Sequence, residues 1–179
     1  MTLLLAGWAA PALAANGSVR VHRAPHYWNV RAVAIGDSVM EGAQWSLAAR
    51  GIVVYAGKSW AFIHGIGIVD DLRASGHLPR TVVIHLGTNG PISNALFDQM
   101  MQALQGVPHV IFLTVKEPRW WESEVNATIL AGAKRWHRVR VVDWHYLATV
   151  HPGWLWGDGI HLTPIGGRRY AQFVSAAIR

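Results

Sequence analysis

From Val30 onward the chain alternates short apolar runs, rich in β-branched residues, with longer stretches in which apolar positions recur every three or four residues. Runs of the first kind read as buried strands and stretches of the second kind as helices packed on them. The alternation therefore predicts repeated βα units around a parallel sheet. Five strands are expected, at 31–35, 52–55, 81–86, 109–115 and 139–143. Helices are expected near 40–50, 61–75, 94–105, 121–136 and 164–178. The fourth helix has Glu122 and Glu124 in its first turn and Lys134, Arg135 and Arg138 near its end, a distribution that complements the helix dipole. No internal repeat, linker or low-complexity tract interrupts the pattern, so residues 16–179 are read as one domain.

Residues 1–15 stand apart. They carry no charge and contain the small-x-small pattern Ala12-Leu13-Ala14, in a stretch too short to span a bilayer. This reads as an export signal, or the remnant of a membrane segment, and implies a secreted or extracytoplasmic protein close to a membrane or cell wall. It departs from the usual signal in having no Lys or Arg at its start, and an apolar helix packed on the domain is the other reading.

Composition narrows the function. With 179 residues, 51% of them hydrophobic and 15% charged, the chain is expected to bury a core and to remain monomeric without staples. The absence of cysteine excludes a disulfide framework, a thiolate metal site and a cysteine nucleophile. The net charge of +6 is partly helix-end charge, and its arginines are scattered with no helix-turn-helix or aromatic RNA-binding motif, so no nucleic-acid partner is expected.

In an open parallel sheet, ligands bind outside the carboxyl ends of the strands. Gly36-Asp37-Ser38 follows strand one, Ala56-Gly57-Lys58 follows strand two, Gly87-Thr88-Asn89-Gly90 follows strand three, and Lys116-Glu117-Pro118-Arg119-Trp120-Trp121 follows strand four. Past strand five stands Asp158-Gly159-Ile160-His161. A serine hydroxyl becomes a nucleophile when an imidazole takes its proton and a carboxylate fixes that imidazole. Ser38, His161 and Asp158 supply the three groups, and one turn of helix-like backbone would bring Asp158 and His161 to the same side. Each residue also has a bland reading: Ser38 as a helix cap, Asp158 as an Asx-turn beside Gly159, His161 as a loop histidine. Asp37 and Asp143 are alternative acids; Asp158 is preferred to Asp143, which ends a strand where a structural hydrogen bond suffices.

Taken together, Gly36-Asp37-Ser38, Gly57, Gly87-Thr88-Asn89 and Asp158-Gly159-Ile160-His161 resemble the four sequence blocks of the SGNH (GDSL-type) hydrolases, in their order and approximate spacing. The resemblance implies a three-layer α/β/α sandwich whose five-stranded parallel sheet has the flavodoxin-like order 2-1-3-4-5. It implies Ser38 as nucleophile with Asp158 and His161 as its partners, and an oxyanion hole made by the amides of Ser38 and Gly57 and the side chain of Asn89. Gly57 is chosen over Gly51, Gly65 and Gly67 because it alone follows strand two. The Gly-x-Ser-x-Gly elbow of α/β-hydrolases is absent. Gly87-Thr88-Asn89-Gly90, Asn126, Val142-Asp143-Trp144 and His151-Pro152-Gly153-Trp154 further resemble the extracytoplasmic SGNH domain of peptidoglycan O-acetyltransferases.

Ten tryptophans and ten histidines remain. Trp28, Trp45, Trp136 and Trp144 fall within or beside predicted elements and are read as packing. Trp60, Trp120, Trp121, Trp154 and Trp156 fall on loops at the active edge. Of these, Trp60, Trp120, Trp154 and Trp156, with Arg119, are the candidates for substrate contact, since indole faces stack on sugar rings. Lys58 also flanks the cleft. The histidine pairs His22/His26 and His145/His151 lack an acidic or cysteine partner at ligand spacing, so neither metal nor cofactor is expected. The expected function is a serine esterase or O-acyltransferase acting on a small acyl ester or an O-acetylated glycan. A non-catalytic glycan- or wall-binding module on the same fold is the rival, and a flavodoxin-like phosphate binder is a third reading.

Overall fold

The computed structural model describes residues 20–22 and 30–178; the export segment expected over 1–15 lies outside them. The elements are β1 (Arg20–His22), β2 (Ala32–Gly36), α1 (Ser38–Glu41), α2 (Gln44–Ala48), β3 (Ile52–Ala56), α3 (Phe62–Ala74), β4 (Thr81–His85), α4 (Asn94–Ala103), β5 (His109–Leu113), α5 (Glu122–Arg135), β6 (Val139–Val142), α6 (Trp144–Val150) and α7 (Pro164–Ala177). A single turn of 3-10 helix, Pro152–Trp154, joins α6 to the last loop. Strands β2–β6 are parallel and ordered β3-β2-β4-β5-β6, which is the expected 2-1-3-4-5.

Every residue of β2 and β4 is buried because helices cover both faces of the sheet, which is why these strands read as continuous apolar runs rather than alternating ones. Successive side chains still point to opposite faces. Val33, Ile35, Val82, Ile84, Val110 and Phe112 pack with Phe62, Phe97, Met100 and Ile129. Ala34, Val54, Val83, Ile111 and Leu113 pack with Val39, Leu47, Trp144, Tyr170 and Val174. On the first face Phe97 lies against Phe112 with ring centroids 4.7 Å apart, and a Cβ at Gly132 would come within 2.2 Å of the Phe97 ring. Glycine there lets α5 close over α4.

Beyond single-residue shifts at strand ends, four elements differ from the sequence reading. A sixth strand, β1, pairs antiparallel with β3; three residues are too few to show a period. The single helix expected over 40–50 is two, α1 and α2, broken at Gly42-Ala43. The break brings Gly42 against α7, where a Cβ on Gly167 would lie 3.2 Å from the Gly42 carbonyl oxygen. The strand expected to run to Val115 ends at Leu113. Asn126 takes over Val115 by accepting from its N–H at 2.8 Å and donating to its C=O at 2.9 Å, as a neighbouring strand would. Finally, α6 was not expected. Asp143 caps it by accepting from the Tyr146 N–H, and Thr114 Oγ1 donates to the same carboxylate oxygen while accepting from the His145 N–H.

A cavity of about 830 Å³ lies at the amino edge of the sheet beside Arg31, Leu78 and Arg80. The candidate residues gather at the opposite edge.

Candidate active site

Ser38 is the first residue of α1, directly beyond the carboxyl end of β2. Asp37 fixes that turn as the N-cap, its carboxylate accepting from the Val39 N–H at 3.0 Å. Asp37 is fully buried. Burial pushes its carboxyl up to about 6, against the lowering effect of hydrogen bonds from Val39 and Thr88 and of the nearby His161. At the first position of its helix the Ser38 N–H has no intrahelical acceptor and is free for a ligand.

His161 and Asp158 come from a tight loop between the 3-10 turn and α7. Leu155 bridges Leu162, the Trp156 N–H donates to the His161 C=O at 2.7 Å, and Gly159 turns the chain at φ +73. Gly166 lets the start of α7 close on this loop, since a Cβ there would meet the Trp154 carbonyl oxygen at 1.9 Å. The Asp158/His161 spacing is therefore realised by a hairpin rather than by the helix-like turn expected. Asp158 Oδ1 accepts from the N–H groups of Ile160 and His161 at 2.9 and 3.0 Å, and Oδ2 accepts from His161 Nδ1 at 2.8 Å. Partial burial raises the Asp158 carboxyl, but these three hydrogen bonds and the histidine's charge outweigh it and hold it below the usual aspartate range. An ionised Asp158 can only accept, so Nδ1 carries the proton and Nε2 is left to accept from the Ser38 hydroxyl, 3.0 Å away.

No family model matches the chain. The peptidoglycan O-acetyltransferase OatA of Listeria monocytogenes is 30% identical over 152 residues, which cover 82% of this chain and 24% of that protein. The C-terminal catalytic domain of Streptococcus pneumoniae OatA, solved with a methylsulfonyl adduct, matches with a TM-score of 0.73 at 24% identity, covering 82% of this chain and 91% of that one. A GDSL-like lipase from Bacteroides thetaiotaomicron matches with a TM-score of 0.60 at 18% identity, over 88% of this chain and 91% of that one. The chain has the SGNH-like α/β fold of these GDSL-type proteins, and its sequence is homologous to part of the peptidoglycan O-acetyltransferases. It spans about a quarter of the length of the curated relatives it matches.

Two clefts of this SGNH-like fold meet at Ser38, Asn89 and His161. One, of about 480 Å³, runs past Glu41, Gln44, Lys58 and Ser59. The other, of about 350 Å³, runs past Thr88, Glu117, Arg119, Trp121 and Ile160. Asn89 donates one Nδ2 N–H to the Trp60 carbonyl at 3.1 Å, which fixes the amide plane and leaves its second N–H for a ligand. The Gly57 N–H is directed at the Gly36 carbonyl in a long bond of 3.4 Å that continues the parallel ladder. A Cβ at Gly57 would meet the Trp60 indole at 2.4 Å, so this glycine also makes room for Trp60. Ser59, two residues on, is the one non-glycine with positive φ (57°) among the described residues.

The aromatic candidates separate in the SGNH structure. Trp60 is buried, stacked on His64, and supports the site from behind, its carbonyl accepting from Asn89 and its indole lying against Gly57. Trp120 is 70% exposed and packs edge-on against Trp121. Trp154 is sandwiched between His151 and Trp144. Trp156 borders a separate cleft on the far side of the Asp158 loop. Of the substrate-contact candidates, Arg119 alone lines a cleft that contains Ser38.

Two residues of that cleft, Trp121 and Glu117, lie on a loop that the sequence places at the active edge but are not among its chosen substrate-contact candidates. Trp121 lines it in place of Trp120, and adjacent identical side chains give no periodic signal to choose between them. Glu117 is 4% exposed, and burial raises its carboxyl above the usual glutamate range against the pull of Arg119, whose Nε lies 3.4 Å from Oε1. Glu122 holds this loop in place, its carboxylate accepting from the Glu117 N–H, from Lys116 Nζ and from His145 Nε2.

Proposed function

We propose that the chain is an acyl-ester enzyme that works through an acyl-Ser38 intermediate on O-acetyl esters of cell-wall glycans, outside the cytoplasm. The observation that carries this reading is the unbroken chain Ser38 Oγ to His161 Nε2 to Asp158 Oδ2, at 3.0 and 2.8 Å, beside a side-chain amide fixed at Asn89. As Oγ adds to the acyl carbonyl carbon, His161 Nε2 takes the hydroxyl proton, and the N–H groups of Ser38 and Asn89 stabilise the oxyanion. Collapse breaks the bond to the alcohol, which leaves with the proton from His161. Water or a second hydroxyl then attacks the acyl carbon, His161 takes its proton, and the acyl group departs as Ser38 is reprotonated. Asp158 remains ionised throughout and orients the ring. Gly57 joins the oxyanion donors by exchanging its long bond to Gly36 for the substrate.

The glycan and the acetyl group are supported by the peptidoglycan O-acetyltransferase relatives, and hydrolysis by the GDSL-like lipase. No helix of the described residues is long and apolar enough to cross a membrane. Incubation with p-nitrophenyl acetate followed by peptide mass spectrometry tests the reading. An acetyl adduct on Ser38 that is released to water or to chitotriose supports it; a chain that binds glycan and forms no adduct is a binding module instead.

A further inference from the structure

The Thr88 to Trp121 cleft contains two buried polar atoms that no protein group satisfies by a hydrogen bond: Glu117 Oε1 and Trp121 Nε1. Orphaned polar atoms are uncommon in folded chains, and each carries a desolvation penalty. Here a carboxylate and an indole N–H border one cavity that also contains Ser38 and His161. Arg119 Nε approaches Glu117 Oε1 at 3.4 Å from a side chain that is itself 64% exposed. That neighbour offsets the charge of the carboxylate, so the pair gives a cationic ligand little advantage, while the acceptor on Glu117 and the donor on Trp121 match a neutral hydroxyl-bearing ligand. A monohydric apolar alcohol would leave both atoms unpaired.

We propose that Glu117 is a specificity-determining residue of the alcohol subsite, accepting a hydrogen bond from a hydroxyl that neighbours the esterified one, so that the cleft selects esters of polyols over esters of monohydric alcohols. The proposal rests on the acyl-serine reading above. Because the alcohol leaves in the first half-reaction and an acceptor enters in the second by the same path, one subsite serves hydrolysis and transfer alike.

The test compares kcat/KM for methyl 6-O-acetyl-glucoside with that for ethyl acetate in wild type, Glu117→Gln and Trp121→Phe, each first checked by thermal melting. Trp121→Phe replaces the indole with a smaller aromatic ring that has no N–H, so it probes the subsite if Glu117→Gln does not fold. The ratio of sugar ester to ethyl ester is expected to fall on the order of tenfold or more in Glu117→Gln, through KM, as for a lost hydrogen bond to a charged group, and to fall in Trp121→Phe as well. A ratio within threefold of wild type in the folded variants, including an equal loss on both esters, overturns the proposal. If wild type acquires no Ser38 adduct from p-nitrophenyl acetate, the acyl-serine reading itself has failed, and this proposal falls with it before any variant is compared.

Discussion

Ser38 Oγ lies 3.0 Å from His161 Nε2 although 123 residues separate the two in the chain. Their distance is set by two rigid supports. Ser38 is held by the Asp37 cap at the end of β2, and His161 by a loop clasped between the Trp154 carbonyl and the first turn of α7, where Thr163 caps the helix and also donates to that carbonyl.

Asp158 controls which nitrogen of His161 faces the serine. Asp158→Asn keeps the size of the side chain but offers an amide in place of an acceptor-only carboxylate, which favours the wrong tautomer. Steady-state hydrolysis of p-nitrophenyl acetate is expected to lose at least roughly 100-fold in kcat. The thermal midpoint should fall by only a few degrees, since Asp158 is half exposed.

Asn89 makes one hydrogen bond to protein and exposes the rest of its amide. Asn89→Ala should lower kcat by about 100-fold, the usual contribution of one oxyanion donor, with little change in KM. Stopped-flow measurement of the acylation step is the check, and an unchanged rate would remove Asn89 from the oxyanion site.

Ser59 borders the first cleft in a left-handed conformation. Such strain costs a non-glycine residue about 1–2 kcal/mol, while glycine costs about 0.5–1 kcal/mol of extra backbone entropy. Strain relief exceeds the entropy term, so urea unfolding of Ser59→Gly should give a protein more stable by up to about 1 kcal/mol, whereas Ser59→Ala keeps the strain and gains nothing.

Stability against pH should reveal the buried groups behind the serine. His85 donates to or accepts from the Tyr170 hydroxyl at 2.8 Å, and burial pushes its imidazole down to about 3. Its contribution is full above its unfolded value near 6.5 and is lost as pH falls toward 3. Asp37, raised to about 6 from 3.8, acts in the opposite sense: its contribution is full below 3.8 and is lost as pH rises through 6. Between pH 4 and 6 the two slopes oppose each other, each at most about 1.4 kcal/mol per pH unit. Urea unfolding at pH 6, 5 and 4 should therefore show His85→Gln gaining on wild type as pH falls and Asp37→Asn losing to it.

The sheet and the juxtaposition of the three principal residues of the proposed site are legible because each leaves a local mark. Buried parallel strands are continuous β-branched runs, Ser38 stands at the end of one, and Asp158 and His161 are three residues apart. What escaped depends on tertiary contact. Strand β1 exists by pairing with β3, helix α6 by the Asp143 cap and Thr114. Whether Trp120 or Trp121 faces the cleft is decided by how α5 docks, and the burial of Glu117 by the hold of Glu122 on its loop. The tryptophan pattern overstated the aromatic character of the site for the same reason: Trp60 and Trp154 satisfy packing around the loops that carry Asn89 and His161.

The central claim is that Ser38 is acylated with His161 as its base. Peptide mass spectrometry after a brief reaction with p-nitrophenyl acetate, on wild type, Ser38→Ala and His161→Ala, tests it most directly. The account predicts a mass gain of one acetyl group on the peptide containing Ser38 in wild type and none in either variant. Acetylation of another residue, or turnover at the wild-type rate in either variant, would contradict it.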